Sequence, residues 1–285
     1  MARRGSRHNY GYLRHLIERS LDACPGFGVR VDVEGKIEPI TEGLWHQNYR
    51  FWIQGRKSPA ASAEQGYILR LLQQRYDWQA GPEPRERLLR EGETLQVLKR
   101  ADFPHPTPEF VCFVADDQSQ VIGMIETAVL GCSLDAFKDR STLRAISRAA
   151  ANVHRMAVDE FRHLAGSVDR AGHVKARLAE IDGALFTEFA SAKETRQWIL
   201  GHLPSGDGAC LLHGDLLPQN LLWDWEASSR EDALVGIVDW EMACVGDPAY
   251  DLAIVSWGNR NVHGVKEGVN VLVEEYYRQV PAVRG

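Results

Sequence analysis

The chain has 285 residues, 44% apolar and 25% charged, with a net charge of −6, which is ordinary globular composition and enough length for two lobes with real cores. The mildly acidic balance gives no basic field for a nucleic acid backbone or an anionic membrane surface. No stretch reaches the roughly eighteen apolar residues of a membrane span, and the basic start Met1 to His8 has no apolar run behind it, so a cytoplasmic protein is expected. The five cysteines form no C-x-x-C pair, and they are expected to be buried free thiols in a reducing compartment rather than a metal site.

From the N-terminus, Tyr12, Leu13, Leu16, Ile17 and Leu21 recur at helical spacing and predict an amphipathic helix over Tyr10 to Ala23. After Pro25-Gly26 the period becomes two: Val29, Val31 and Val33 alternate with polar residues, and Tyr49 to Ile53 and Tyr67 to Leu72 follow as strands. Between those strands Gln54 to Gln65 is a polar loop. Gly81-Pro82-Glu83-Pro84 opens a helix from about Arg85 to Lys99, which Pro104, Pro106 and Pro108 stop. Phe110 to Val114 and Val121 to Ile125 form a hairpin around Asp116 to Ser119. Past Gly131 the pattern turns helical: Ser141 caps a helix to about Val158, Val174 to Leu203 holds one or two more, and Lys266 to Gln279 is the last. The layout predicts an α+β chain, with a β-rich N-terminal lobe over 1–126 and a mainly helical C-terminal lobe over 127–285.

The strongest chemical signal lies between short apolar segments. Asp215 follows Leu211-Leu212-His213-Gly214, Asn220 stands five positions on, and Asp239 ends the apolar run Val235-Gly236-Ile237-Val238. This is the kit for phosphoryl transfer. One carboxylate orients the attacking hydroxyl and takes its proton, while an amide oxygen and a second carboxylate hold the metal between phosphates. Asp215 is thus the candidate catalytic residue, and Asn220 and Asp239 the candidate Mg²⁺ ligands, since hard Mg²⁺ prefers oxygen donors. Placement on short buried segments gives rigid positioning.

The run His213-Gly214-Asp215 with Asn220, then Ile237-Val238-Asp239-Trp240-Glu241, then Gly246-Asp247-Pro248-Ala249-Tyr250-Asp251-Leu252-Ala253, resembles the aminoglycoside phosphotransferase and choline kinase-like superfamily, weakly back to about residue 40. The resemblance implies a bilobal protein-kinase-like fold that binds a nucleoside triphosphate, ATP or GTP, between lobes. It also implies transfer of the γ-phosphate to a small-molecule hydroxyl, with His213 structural. By that resemblance Thr41 to Arg50 is the phosphate-covering loop, with Gly43 and Asn48 as nucleotide contacts, although it has one glycine against the G-x-G-x-x-G of protein kinases. Arg70 falls where protein kinases carry the phosphate-binding lysine, and guanidinium can bind phosphate bidentately. Glu91 is its candidate partner, with Glu93 an alternative. The connector Met124 to Gly131 would meet the adenine edge through backbone around Glu126 and Ala128.

Other residues read as structure. His154 lies on an apolar helix face as a core histidine, Asp247 caps the following helix, and Asp251 braces the catalytic loop, with substrate contact as the alternative for the two aspartates. Trp240, Tyr250 and Trp257 pack apolar surface, with an aromatic wall for a cationic or sugar substrate as the alternative. The implied acceptor is a small polar molecule, cationic ones of the aminoglycoside type included. A metabolic kinase for choline, an amino alcohol or a sugar is the runner-up, and a catalytically weak nucleotide-binding module is the rival from another class. Asp239 is followed by Trp-Glu rather than Phe-Gly and no Ala-Pro-Glu follows, which disfavours a protein kinase.

Overall fold

The computed structural model describes residues 10–25, 27, 33–40, 46–57, 64–72, 84–133, 139–164, 166–180, 190–206, 208–224, 226–227, 233–258 and 267–280. The chain divides into two compact units, each discontinuous in sequence: Met1–Trp78, Pro82–Gly92 and Pro108–Val129 form one, and Gln79–Gly81, Glu93–Thr107 and Leu130–Gly285 the other.

The N-terminal unit holds helix α1 (Tyr10–Asp22), strands β1 (Val33–Ile40), β2 (His46–Lys57) and β3 (Glu64–Leu72), the start of helix α2 (Pro84–Arg100), and strands β4 (Phe110–Ala115) and β5 (Val121–Thr127). The strands make one antiparallel sheet in the order β1-β2-β3-β5-β4. Period-two alternation gives its faces different work. Tyr49, Phe51 and Ile53 of β2, Tyr67, Leu69 and Leu71 of β3, and Ile125 of β5 point one way and are buried with Leu13, Leu16, Ile17 and Leu21 of α1. Each such burial stabilises by roughly 1.5–3 kcal/mol. His46, Asn48 and Arg70 occupy the alternate positions, with Asn48 directly opposite Arg70.

The predicted helix, α2 and the β4–β5 hairpin are observed nearly as expected, the hairpin turn being closed by Asp116 Oδ1, which accepts from the amides of Gln118 and Gln120 at 2.9 Å each. The sheet strands are longer than their apolar patches. β1 begins at Val33 and runs through the polar stretch to Ile40, and β2 and β3 extend into the expected Gln54 to Gln65 loop, to Lys57 and from Glu64. Ladder hydrogen bonds do not require apolar side chains, so these ends follow from pairing with neighbours. Val29 and Val31 lie outside the described residues.

The C-terminal unit holds the three-stranded sheet of β6 (Cys132–Ser133), β8 (Leu221–Trp223) and β9 (Leu234–Ile237), and the ribbon of β7 (Cys210–Leu212) and β10 (Cys244–Gly246). Helices α3 (Arg140–His154), α4 (Arg170–Glu180), α5 (Ala190–Gly201), α6 (Ala249–Gly258) and α7 (Gly268–Gln279) complete it. Helix α3 is tied to α7 by Ser147, whose Oγ donates to Leu272 O at 2.6 Å. Two expectations for α3 are corrected. Its cap is Asp139, whose carboxylate accepts from the Thr142 amide at 2.8 Å and from the Thr142 hydroxyl at 2.9 Å, and Ser141 is the second helical residue. The helix ends at His154, and a separate 3₁₀ turn at Val158–Phe161 accounts for the rest of the apolar run. The last helix starts at Gly268, behind Glu267 in the left-handed region (φ 57°). Among the described residues no helix is long and apolar enough to cross a membrane.

Replacing the cap isolates its contribution: Asp139→Ala should lower the urea-unfolding free energy by about 1 kcal/mol, while Ser141→Ala should leave it nearly unchanged. Equal effects of the two substitutions would contradict the cap.

Candidate active site

The loop after β7 is positioned from beneath by one carboxylate. Asp251, on α6 and fully buried, accepts from the His213 amide through Oδ2 and from the Gly214 amide through Oδ1, at 2.9 Å each. Its Oδ2 also lies 3.1 Å from His154 Nε2, and the other nitrogen of that ring, Nδ1, is 2.8 Å from the Tyr276 hydroxyl. Burial pushes the Asp251 carboxyl upward. The hydrogen bond and charge of His154, with the charge and amide of His213, outweigh it and hold the group below its ordinary value. The expectations that Asp251 braces this loop and that His154 is a satisfied core histidine agree with these bonds.

Gly214 is required where it stands. Its φ is +81°, and a Cβ there would lie 2.3 Å from Met242 O. His213 Nδ1 accepts from the Asp215 amide at 3.2 Å, so the ring proton sits on Nε2, which donates to Val238 O at 3.1 Å. This one imidazole therefore joins the Asp215 segment to the strand end that carries Asp239. Burial keeps it below its ordinary range, against the pull of Asp251 and Asp239.

Asn220 makes the second tie. Its Nδ2 donates to the Asp215 main-chain oxygen at 2.8 Å and to Asp215 Oδ2 at 3.0 Å, while its main-chain carbonyl accepts from the Val238 amide at 2.9 Å. Asp239 follows at φ +68°, a left-handed conformation that a short polar side chain tolerates. Asp215 and Asp239 are half-buried and Asn220 is buried. The C-terminal unit thus brings the loop bearing Asp215 and Asn220 and the residue preceding Asp239 into one hydrogen-bonded assembly. Trp240, fully buried, roofs it: its ring lies 4.6 Å from that of His213 and 5.6 Å from Phe103, and its Nε1 donates to Ile237 O. Trp240 is therefore packing, not a substrate wall. Tyr250 is half-buried against His173 and Arg177, and the Trp257 side chain lies outside the described residues.

In the N-terminal unit Arg70 meets Glu91. Its Nη1 donates to Glu91 Oε1 at 2.6 Å, Glu126 Oε1 lies 4.0 Å from the same nitrogen, and Nη2 is 3.1 Å from His46 Nδ1. Glu91 is the partner because it points into the unit, whereas Glu93 is exposed. Asn48 sits opposite Arg70 across the β2–β3 ladder. Gly43 lies outside the described residues. The Ala128 amide donates to Gly66 O at 2.8 Å, and its carbonyl accepts from Gln65 Nε2 at 3.3 Å, so in this structure Ala128 uses both groups at the end of the β3–β5 ladder.

Three contacts were not expected from the sequence. His46 and the Glu126 carboxylate join the Arg70 cluster. Arg170 Nε donates to Asp247 Oδ2 at 2.8 Å, while Asp247 Oδ1 accepts from the Ala249 amide at 2.8 Å as the expected cap. The signal for His46 was its two-residue spacing from Asn48, which puts both on the Arg70 side of the sheet. The cysteines are free, but Cys210 and Cys244 alone are buried; Cys24 and Cys112 are half-buried and Cys132 exposed. The expectation of uniform burial fails because Cys132 opens a two-residue strand just past the Gly131 turn.

Among solved structures, macrolide 2′-phosphotransferase type I superimposes with a TM-score of 0.64 at 16% identity, covering 96% of this chain and 83% of its own. APH(2″)-IIia, solved as its GDP and kanamycin complex, gives 0.63 at 16% identity, covering 94% and 83%. The fold is accordingly that of the protein-kinase-like phosphotransferases, as the resemblance implied. The chain belongs to the phosphotransferase enzyme family (APH), whose model matches residues 36–281. Acyl-CoA dehydrogenase family member 11 of Pongo abelii is 23% identical over 215 residues, 70% of this chain and 26% of that protein, so the chain spans about a quarter of this curated relative's length.

The buried histidines set a pH dependence. Burial holds His105, His173 and His213 below the ordinary 6.5. The unfolded chain then binds protons that the folded chain refuses, and stability falls as the pH drops below about 6.5. Asp251 adds a further loss as the pH falls from 3.8 through its depressed folded value. Urea titrations at stepped pH should show less stability at acid pH, with a shallower slope in His213→Asn than in the wild type. An unchanged slope would contradict a neutral His213.

Proposed function

We propose that the chain transfers the γ-phosphoryl group of a purine nucleoside triphosphate, ATP or GTP, to a hydroxyl of a small polar acceptor. The observation that carries this reading is the bond from Asn220 Nδ2 to Asp215 Oδ2 at 3.0 Å, within a loop whose carbonyl at Asn220 is tied to the residue before Asp239. Asp215, with one oxygen held by that amide, orients the acceptor hydroxyl and takes its proton as the bond to phosphorus forms. Asn220 uses its nitrogen on Asp215, which leaves the hard amide oxygen Oδ1 for a cation, and the Asp239 carboxylate is a second hard oxygen donor; this donor set fits Mg²⁺. When bound, Mg²⁺ would neutralise charge on the phosphates. Arg70, fixed by Glu91, steadies the triphosphate, with Asn48 beside it and Gly43 in the preceding segment as further nucleotide contacts. The base is read by backbone near Glu126 and the connector beyond Ala128.

The net charge of −6 and the likeness to APH(2″)-IIia, a protein solved with kanamycin, support a cationic acceptor of the aminoglycoside type. A second reading keeps the same transfer chemistry with a metabolite hydroxyl (choline, an amino alcohol or a sugar) as acceptor, because the fold does not set which small hydroxyl is bound.

Asp215→Asn keeps the size of the side chain but removes the proton acceptor. It should lower kcat by about a hundredfold to ten-thousandfold with nucleotide affinity nearly unchanged, measured as ADP or GDP release across a panel of aminoglycosides, macrolides, choline and amino sugars. Asp239→Asn should abolish the Mg²⁺ dependence of nucleotide binding in calorimetry. Full turnover by Asp215→Asn refutes the catalytic role, and nucleotide binding by the wild type without transfer to any acceptor favours a binding module.

A further inference from the structure

We infer that His46 is a positioning residue that acts on the nucleotide through Arg70, an inference that rests on the phosphotransferase reading. The cluster is almost closed to water: His46 is 4% exposed, Arg70 6%, Glu91 0% and Glu126 5%. The guanidinium is held at two different nitrogens, Nη1 against Glu91 at 2.6 Å and Nη2 against His46 Nδ1 at 3.1 Å.

Arginine nitrogens can only donate, so His46 Nδ1 carries a lone pair and its proton sits on Nε2. An imidazolium would offer no acceptor there and would set a second cation against the first. An ion pair at Nη1 alone leaves the planar fork able to swing about that contact. The second anchor on Nη2 fixes the plane, and with it the direction in which the guanidinium's remaining donors face. A lysine ammonium gathers its three donors on one nitrogen and has no plane for two anchors to fix. Histidine at 46 and arginine at 70 are therefore a matched pair, which gives a reason for arginine where protein kinases carry lysine. The backbone supports the pairing: His46 and Asn48 lie two apart on β2, and Asn48 is the direct cross-strand partner of Arg70.

The test is a cycle on Mg²⁺-nucleotide affinity. His46→Leu should weaken binding about tenfold, while kcat at saturating nucleotide changes far less. His46→Asn, whose Oδ1 reproduces the Nδ1 acceptor, should restore most of the affinity. His46→Gln, whose acceptor sits at the Nε2 position, should behave like His46→Leu. In an Arg70→Met background His46→Leu should add nothing. Thermal midpoints of all variants are read in parallel, and the Asn and Gln pair carries the comparison if the Leu variant does not fold. The inference is overturned by nucleotide affinity that is unchanged in His46→Leu, equal in the Asn and Gln variants, or lowered as much without Arg70 as with it. Failure of the wild type to bind nucleotide at all would overturn the phosphotransferase reading itself, and this inference with it.

Discussion

A carboxylate removed from water must be given donors, and in this protein that requirement is met at Asp251 by the loop that carries Asp215. Two consecutive amides, His213 and Gly214, close on its two oxygens, each a charge-assisted bond of about 1.5–3 kcal/mol. The bend this imposes needs a left-handed residue with no side chain, since Gly214 lies against the Met242 carbonyl. With the bend fixed, the His213 ring reaches Val238 O, and Asn220 reaches back to Asp215. The positions of the two acidic side chains therefore descend from one buried charge that touches neither of them.

The N-terminal unit solves a similar problem with a sheet. Strand alternation sends apolar residues under α1 and leaves the other face for a buried cation and its acceptors. A strand is stiff and fixes where Cβ points, so the cation's location is set by register before any side chain bonds to it. The ladder aligns Asn48 with Arg70, and Glu91 arrives from α2.

Much of this was legible in the residues. The spacing of Asp215, Asn220 and Asp239 implied a single assembly, and the observed bonds join those segments. Helices α1 and α2 stand within a residue of their expected ends. The rest was hidden for physical reasons. Strand ends in polar stretches such as Val33–Ile40 are decided by pairing, which a local window does not contain. Asp139 and Ser141 are both competent caps, and the choice between them depends on where the backbone leaves the β region. Glu91 and Glu93 differ by two residues, and only helix phase separates the buried one from the exposed one. His46 was marked only by its two-residue spacing from Asn48, because its partner is 24 positions away in sequence and its contact exists only in the folded sheet.

The uneven fate of the cysteines has a practical side. Burial pushes the Cys112 thiol up to about 12 and the Cys210 thiol upward as well, so neither supplies much thiolate at neutral pH. Cys132 is exposed, on a short strand paired to Leu222 and Trp223, and Leu222 follows Asn220 by two residues. A maleimide or alkylating dye added to the native protein will meet that thiol first. The chain thus brings its own attachment point for a fluorophore within a strand's width of the loop whose geometry matters most, without an engineered cysteine.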